Sequence, residues 1–398
     1  MGLRAYNVLM IAPTSFFLDY GCHVRIAEEA RILERMGHQV TIVTYYKGRD
    51  LNGLAIERTM PIPWRHDYEV GCSKHKIAFD ILLLIKSLKV ALRRKPDVIH
   101  GHLHEGALIG YAVGKLLRIP LVFDFQGSLT GEMVDHRFLN PHGPFYGPTR
   151  RLEEVIDRLP HAIIANSQHA ADLLGGEFRC SPEDIHVVPD CVDPYSFRPD
   201  VLTKEERLAL KSQLGIPFKR KVVVYLGLLA EYQGVGLLIR AAAELVKAHP
   251  EVHFLIMGFP GVENYRAYAH SLRLADHITF TGKVPYEQAP HYLALGDIAV
   301  APKLSATEGS GKLLNYMAMA LPTVAFDTPV SREYLGDLGI YAERGSYMAL
   351  AEAMVTLLED EERAAALGQA LRKRAIENYS WERAGRKIVE VYDLIHRH

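Results

Sequence analysis

The sequence predicts an α/β protein of two Rossmann-like domains, each on a parallel sheet, and three observations carry that prediction. The chain has 398 residues, more than one ordinary core accommodates. Short apolar runs alternate with amphipathic helical stretches from end to end. The alternation pauses once, between Asp193 and Pro217, where charged and proline-containing sequence replaces the apolar runs. The boundary is therefore set near residue 195, giving domains 1–195 and 196–380.

In the first domain, residues 8–12, 40–44, 98–100, 121–125, 162–165 and 186–188 read as buried strands. Between them lie helical patterns such as 23–36, ended by Gly37, and 77–94, stopped by Pro96. In the second, strands are expected at 222–226, 252–257, 278–280, 298–301 and 323–326, with a helix at 235–248. Strand–helix repetition of this kind implies parallel sheets with right-handed crossovers. The last pattern, 381–395, is an amphipathic helix that has the option of packing back on the first domain.

Composition removes several functions. Hydrophobic residues make up 48% and charged residues 23%, a globular balance. Lys plus Arg number 46 against 47 Asp plus Glu, so there is no basic surplus to track a nucleic-acid backbone. Cys22, Cys72, Cys180 and Cys191 form no C-x-x-C pair and read as reduced thiols in a cytoplasmic protein. The apolar run at 8–12 is too short for a membrane span, and the run at 77–85 is broken by Asp80.

Ligands of doubly wound sheets bind beyond the carboxyl ends of strands, where helix N-termini offer unpaired amides. That rule selects five loops. The first ends at Gly21, where backbone amides can approach a phosphate or the glycine can simply start a helix. No G-x-G-x-x-G accompanies it. The second, from His100 to Glu105, carries His100, His102 and His104 at alternate positions. Zinc binding, acceptor-side hydrogen bonding and plain packing all fit three such imidazoles, and no helical His-x-x-x-His pair points to a metal. The third loop runs from Asp124 through Gln126 to Ser128, and the fourth from Gly227 to Gly234. The fifth, Thr307 to Lys312, opens an apolar helix with Gly309, Ser310, Gly311 and Lys312, which favours an anionic ligand. There is no serine elbow, Walker loop or kinase signature.

Four segments, in this order and spacing, resemble family 4 of the retaining glycosyltransferases. Residues 28–41, ending in Gly37-His38-Gln39-Val40-Thr41, resemble the family's "L-x-x-x-G-H-x-V-x-V". Pro96-Asp97-Val98-Ile99-His100-Gly101-His102 resembles "P-D-V-V-H-x-H", and 188–199 resembles "I-P-N-G-V-D-x-x-x-F-x-P". Lys312-Leu313-Leu314-Asn315-Tyr316-Met317-Ala318-Met319-Ala320-Leu321-Pro322 resembles "K-L-x-E-Y-M-A-x-G-x-P". The resemblance spans nearly the whole chain and implies the GT-B architecture, two facing Rossmann-like domains with a cleft between them. It implies a nucleotide-sugar co-substrate, UDP- or GDP-linked, with no other cofactor and no metal. Transfer would proceed with retention, the leaving phosphate helping to deprotonate the acceptor.

The resemblance also implies site residues. The donor would meet Gly21, Gly227, Gln233, Gly282, Val284, Glu308, Gly309, Ser310, Gly311, Lys312, Leu313 and Asn315. Chemistry would fall to His102, Asp124, Gln126 and Glu308, with His104, Glu105 and Asp135 on the acceptor side. The chain departs from the pattern where charge matters. The usual "G-R-L-x-x-x-K-G" has Leu228 and Gln233 in place of its Arg and Lys, and the usual "x-x-H-G" histidine is Gln126. The second of two glutamates eight positions apart is Asn315; counting back eight reaches Thr307, one residue from Glu308. Lys312 and the helix start are expected to compensate for the missing cations. A non-catalytic subunit, or a nucleotide-sugar hydrolase or epimerase, remains the alternative.

On the acceptor side, Lys74, His75, Lys76, Lys86, Lys89, Arg93, Arg94 and Lys95 flank the apolar helix 77–92. Such a helix can lie on an anionic membrane and reach a lipid-linked acceptor, or pack on its own sheet with a solvated basic edge. Residues 137–146, rich in Pro and Gly, are expected to form a loop over the acceptor cleft.

Overall fold

The computed structural model describes residues 4–61, 76–305 and 308–397; Cys72, Lys74, His75 and Thr307 lie outside them. Two parallel sheets organise the chain. The first contains β1 (Asn7–Ala12), β2 (Gln39–Thr44), β3 (Ala55–Arg58), β4 (Val98–His102), β5 (Leu121–Phe125), β6 (Ala162–Ala165) and β7 (Ile185–Val187), in the order β3-β2-β1-β4-β5-β6-β7. The second contains β8 (Lys221–Leu226), β9 (Val252–Met257), β10 (Ile278–Gly282), β11 (Ile298–Ala301), β12 (Thr323–Phe326) and β13 (Ile340–Ala342), in the order β10-β9-β8-β11-β12-β13. In both, the chain lays three strands outward and then returns to the other side of the first, which leaves a crevice between β1 and β4 and another between β8 and β11.

The helices of the first half are α1 (Gly21–Arg35), α2 (Lys76–Arg94), α3 (Leu103–Leu117), α4 (Leu129–Asp135), α5 (Tyr146–Asp157) and α6 (Gln168–Gly176). A connecting helix, α7 (Lys204–Gln213), falls inside the stretch where the apolar rhythm pauses. Thr203 caps it, and Glu206 reaches back to the Thr203 amide. The second half adds α8 (Val235–Ala248), α9 (Val262–Ser271), α10 (Ala289–Leu293), α11 (Gly311–Ala318), α12 (Pro329–Leu335), α13 (Tyr347–Leu358) and α14 (Glu361–Asn378). The chain then crosses back through a parallel bridge between Val192 and Ser380 into α15 (Trp381–Ile395).

Each sheet is buried on both faces, as its continuous apolar strands require. Val223, Tyr225, Phe254 and Val300 pack under α8 and α13 on one face of the second sheet. Val222, Val224, Leu255 and Ala299 pack under α11 on the other. In the first sheet, Val8, Met10, Val98 and Val122 share a core with Ile26 and Leu33 of α1 and with Trp381, Ile388 and Tyr392 of α15. Tyr392 donates or accepts a 2.7 Å hydrogen bond with His100 Nδ1, which ties α15 to the middle of that sheet.

The strand β4 runs two residues beyond the apolar run that announces it. His102 stands in register with Asp124 of β5, so the polar end of β4 finds its partner inside the sheet layer.

Candidate active site

The carboxyl ends of both sheets open on one cleft, with a cavity volume of about 370 Å³. The two halves meet around it through polar contacts. Asp19 of the β1–α1 loop pairs with Lys283 at 2.9 Å and accepts the Tyr286 amide at 3.1 Å. Glu333 of α12 accepts the Gln168 amide at the start of α6 at 2.8 Å.

Two uncapped helix starts face this cleft. Gly21 opens α1, whose preceding residue Tyr20 makes no side-chain cap bond and whose first turn holds no acid. Gly311 opens α11, where Ser310 likewise makes no cap bond and keeps a buried hydroxyl that has no hydrogen-bond partner among the described residues. Helix starts of this kind present free amides and the positive end of the dipole to an anion. Gly309 lets the α11 loop reach the first domain: a Cβ there would lie 2.6 Å from both Asn166 Nδ2 and Asp190 Oδ2.

Lys312 lies where the missing cations leave a gap. Its ammonium donates to Gln233 Oε1 at 2.7 Å and sits over the Tyr225 ring at 4.5 Å. A Cβ on Gly227 would fall 2.6 Å from Lys312 Nζ, so the β8 loop and the α11 start are a single place. Burial, reinforced by the nearby Lys303 charge, lowers the Lys312 pKa to about 7. An anionic ligand would restore its charge. Lys303, two residues past β11, is a second cation of the cleft; it donates to the Gly309 carbonyl at 2.6 Å and pairs with Glu308 Oε2 at 2.7 Å. His136 Nε2 stands 3.7 Å from the other Glu308 oxygen, and its ring packs on Tyr232 with centroids 4.3 Å apart.

Of the expected donor residues, Gly21, Gly227, Gln233, Val284, Glu308, Gly309, Ser310, Gly311, Lys312 and Asn315 line the cleft. Leu313 does not. It is fully buried in the second core, because α11 turns Lys312 and Asn315 outward and Leu313 inward. Gly282 also lies off the cleft, ending β10 with its carbonyl accepting the Gly258 amide.

The first-domain expectations need more correction. His102 and Asp124 are both 0% exposed and sit behind the cleft wall. His102 Nδ1 meets Asp124 Oδ2 at 2.9 Å, and Arg25 Nη2 meets Asp124 Oδ1 at 2.9 Å. Arg25 also binds Asp190 at 3.0 Å and Glu29 at 3.1 Å. Burial alone would raise the Asp124 pKa, but the Arg25 charge and His102 drive it well below the usual carboxylate range. These residues position Gln126, whose amide nitrogen donates to Asp124 Oδ2 at 2.7 Å while Gln126 itself lines the cleft.

The three imidazoles of the second loop do not converge. His100 and His102 stack at 4.6 Å within β4, whereas His104 turns onto α3 and meets Asp157 of α5 at 3.2 Å. Burial pulls the His104 pKa down, but Asp157 and Glu153 outweigh it and raise it to about 9. Two clusters have metal-ligand composition, Glu29/His100/His102/Asp124 and His104/Glu153/Asp157. In the first the carboxylates surround Arg25; in the second Glu153 already accepts the Leu129 and Thr130 amides at the start of α4.

His104 and Glu105 line the cleft, Glu105 being paired to Lys76 at 2.5 Å. Asp135 does not; it borders a separate depression with Thr130 and Arg344, since α4 turns Glu132 and His136 toward the cleft instead. Residues 137–146 line no part of the main cleft, and Pro141 and Tyr146 border that same depression. Glu132, His136, Lys303, Asn166 and Asp190 are cleft residues that the sequence reading did not single out as ligands. Lys303 carried a usable signal, since it lies two residues past a predicted strand end.

Two facing Rossmann-like sheets, with free helix starts and lysines turned into the crevice between them, define a glycosyltransferase of the GT-B architecture. The family described as "Glycosyltransferase Family 4" matches residues 21–195 and "Glycosyl transferases group 1" matches 206–374. The chain belongs to family 4 of the glycosyltransferases. It is 25% identical to the D-inositol 3-phosphate glycosyltransferase of Corynebacterium aurimucosum, over 94% of this chain and 90% of that one. It is 31% identical, over 51% of this chain and 55% of the relative, to a GDP-mannose-dependent phosphatidylinositol monomannoside mannosyltransferase of Mycolicibacterium smegmatis. Among solved structures, Anabaena HepE in complex with UDP and glucose superposes with a TM-score of 0.79 at 17% identity, covering 98% of this chain and 100% of that one.

Proposed function

We propose that the protein transfers a sugar, with retention and without a metal, from a UDP- or GDP-linked donor to a glycolipid, polysaccharide or other glycoconjugate. The observation that carries this reading is the pair of free helix starts, one from each domain, facing one cleft with Lys312 and Lys303 beside them. The donor's diphosphate lies between Gly21 and residues 309–312. Lys312, Lys303 and the α11 amides stabilise the charge that grows on the leaving phosphate, replacing the Arg and Lys absent at Leu228 and Gln233. Glu308 and Asn315 hold donor hydroxyls, and Gln126, fixed by Asp124, presents its carbonyl oxygen to the sugar. The acceptor enters from the side of His104 and Glu105. A UDP-bound structural neighbour and a GDP-mannose-dependent relative support the donor class.

A lipid-linked acceptor, met at the inner face of a membrane, is part of this proposal. No helix among the described residues is long and apolar enough to cross a membrane. Yet α2 has apolar residues on two sides. Leu83, Val90 and Ala91 are buried against the sheet, while Ile77, Ile81 and Ile85 are 73%, 54% and 47% exposed along another stripe. Lys89 and Arg94 are exposed and carry no ion pair among the described residues. The stripe starts at Lys76 and Phe79, which line the cleft.

Calorimetry over a panel of nucleotide sugars, followed by analysis of the product's anomeric configuration, tests the reading. It requires tight binding of one donor and an axial or equatorial bond unchanged from donor to product. Binding without turnover over any acceptor would mark a non-catalytic subunit, and release of free sugar alone a hydrolase.

A further inference from the structure

One carboxyl group in the cleft has no place in the donor-site account. Glu132, in the first turn of α4, lines the cleft and makes no side-chain hydrogen bond or ion pair among the described residues. It confronts Glu308 of the other domain. A Cβ on Gly127 would lie 3.0 Å from Glu132 Oε1 and 3.4 Å from both Cα and Cγ of Glu308, so the two side chains crowd the same point.

The pair is asymmetric. Lys303 stands 2.7 Å from one Glu308 oxygen and His136 3.7 Å from the other. Glu132 has no such cation against it. Burial and the Glu308 charge push its pKa up to about 8; Glu105 of α3 adds to this, while His104 of α3 and Lys76 of α2 pull the other way. The remaining titratable neighbours, Cys22 of α1 and Tyr232 after β8, are both raised by burial and stay neutral. Two carboxyls crowded into one site, one against a lysine and the other without a cation beside it, are the arrangement that separates a fixed charge from a proton-transfer group.

We propose that Glu132 is the base that takes the proton of the attacking acceptor hydroxyl. The inference rests on the transferase reading above. As the acceptor oxygen bonds to the anomeric carbon, the bond from that carbon to the donor's phosphate oxygen breaks. Its electron pair leaves with the nucleoside diphosphate. The hydroxyl proton passes to the Glu132 carboxylate and from there to solvent, while Glu308, neutralised by Lys303, stays bound to the sugar. Glu132 belongs to the same wall as His104 and Glu105, on the side assigned to the acceptor.

The test is the pH dependence of kcat at saturating donor for the whole protein, as wild type, E132Q and E132D, with the donor and acceptor that wild type uses. Nucleoside diphosphate affinity and thermal melting are measured alongside. The base must be ionised to work, so wild-type kcat at saturating donor, where the bound diphosphate keeps Lys312 charged, should climb with pH through about 8 and level off above it. E132Q should lose about 10²- to 10⁴-fold in kcat together with that rising limb, at unchanged nucleoside diphosphate affinity. E132D should recover part of the rate and keep the limb; it also stands in for E132Q if the amide variant does not fold. An E132Q enzyme, or failing that an E132D enzyme, with wild-type rate and limb overturns the proposal and gives the proton to the leaving phosphate. A wild type that binds donor and transfers sugar to nothing overturns the transferase reading, and this inference with it.

Discussion

The two sheets share one strand order and use their strand ends in opposite ways. In the first, the polar residues His102 and Asp124 are still inside strands, so they close a buried network around Arg25, and from the end of β5 it is Gln126, one residue further on, that reaches the cleft. In the second, Gly227 lies one residue past β8 and Lys303 two past β11, and both reach the cleft with Lys312. A functional side chain in this fold has to lie beyond the last paired residue. Polar residues within the strand become scaffold instead. The first wall is therefore held by buried charge, and the second does its work with charge presented to a ligand.

Substitutions should separate the two walls. Arg25→Met removes the one cation shared by Asp124, Glu29 and Asp190, leaving buried carboxylates unpaired. Denaturant unfolding should report a loss of about 3–5 kcal/mol, with activity lost only as the fold fails. Lys312→Met should do the reverse. It should lower kcat/KM by about 10²- to 10³-fold, the usual cost of one charge-stabilising donor, while melting temperature does not fall. The latter follows because Lys312 is held low by burial, so the folded state sacrifices part of its protonation there. For the same reason nucleoside diphosphate affinity in wild type should weaken as pH rises through and beyond about 7, where the ammonium is lost. In Lys312→Met the calorimetric affinity should be flat over that range.

Smaller effects sharpen the contrast. Gln126→Ala should reduce turnover by about tenfold, the weight of one hydrogen bond near 1.4 kcal/mol, with little change in melting. Asp135→Ala, outside the cleft, should shift stability by no more than about 0.5 kcal/mol and leave kinetics alone. A large kinetic effect there would place the acceptor path over the neighbouring depression rather than through the cleft.

Much of the fold was legible because long apolar runs have one outcome: residues 121–125, 162–165, 252–257, 298–301 and 323–326 are strands exactly where the pattern ends. The edge strands β3 and β13 were not, since their half-buried sequences lack that signature. Helix α7 was hidden by its charge, although Thr203 and Glu206 spell a capping box. In the site, the segment 308–315 could be read because glycines and a lysine at a helix start are a local pattern. Glu132 and His136 could not, because nothing in α4 itself says which of its sides faces the opposite domain.

The most direct measurement of the central claim is a structure of the protein with its nucleoside diphosphate bound. The phosphates should lie within hydrogen-bond distance of Lys312 Nζ and of the amides at residues 309–312, with Gly21 on their other side. Phosphates bound away from both Lys312 and the α11 start would contradict the account, because the charge lost at Leu228 and Gln233 would then have no replacement.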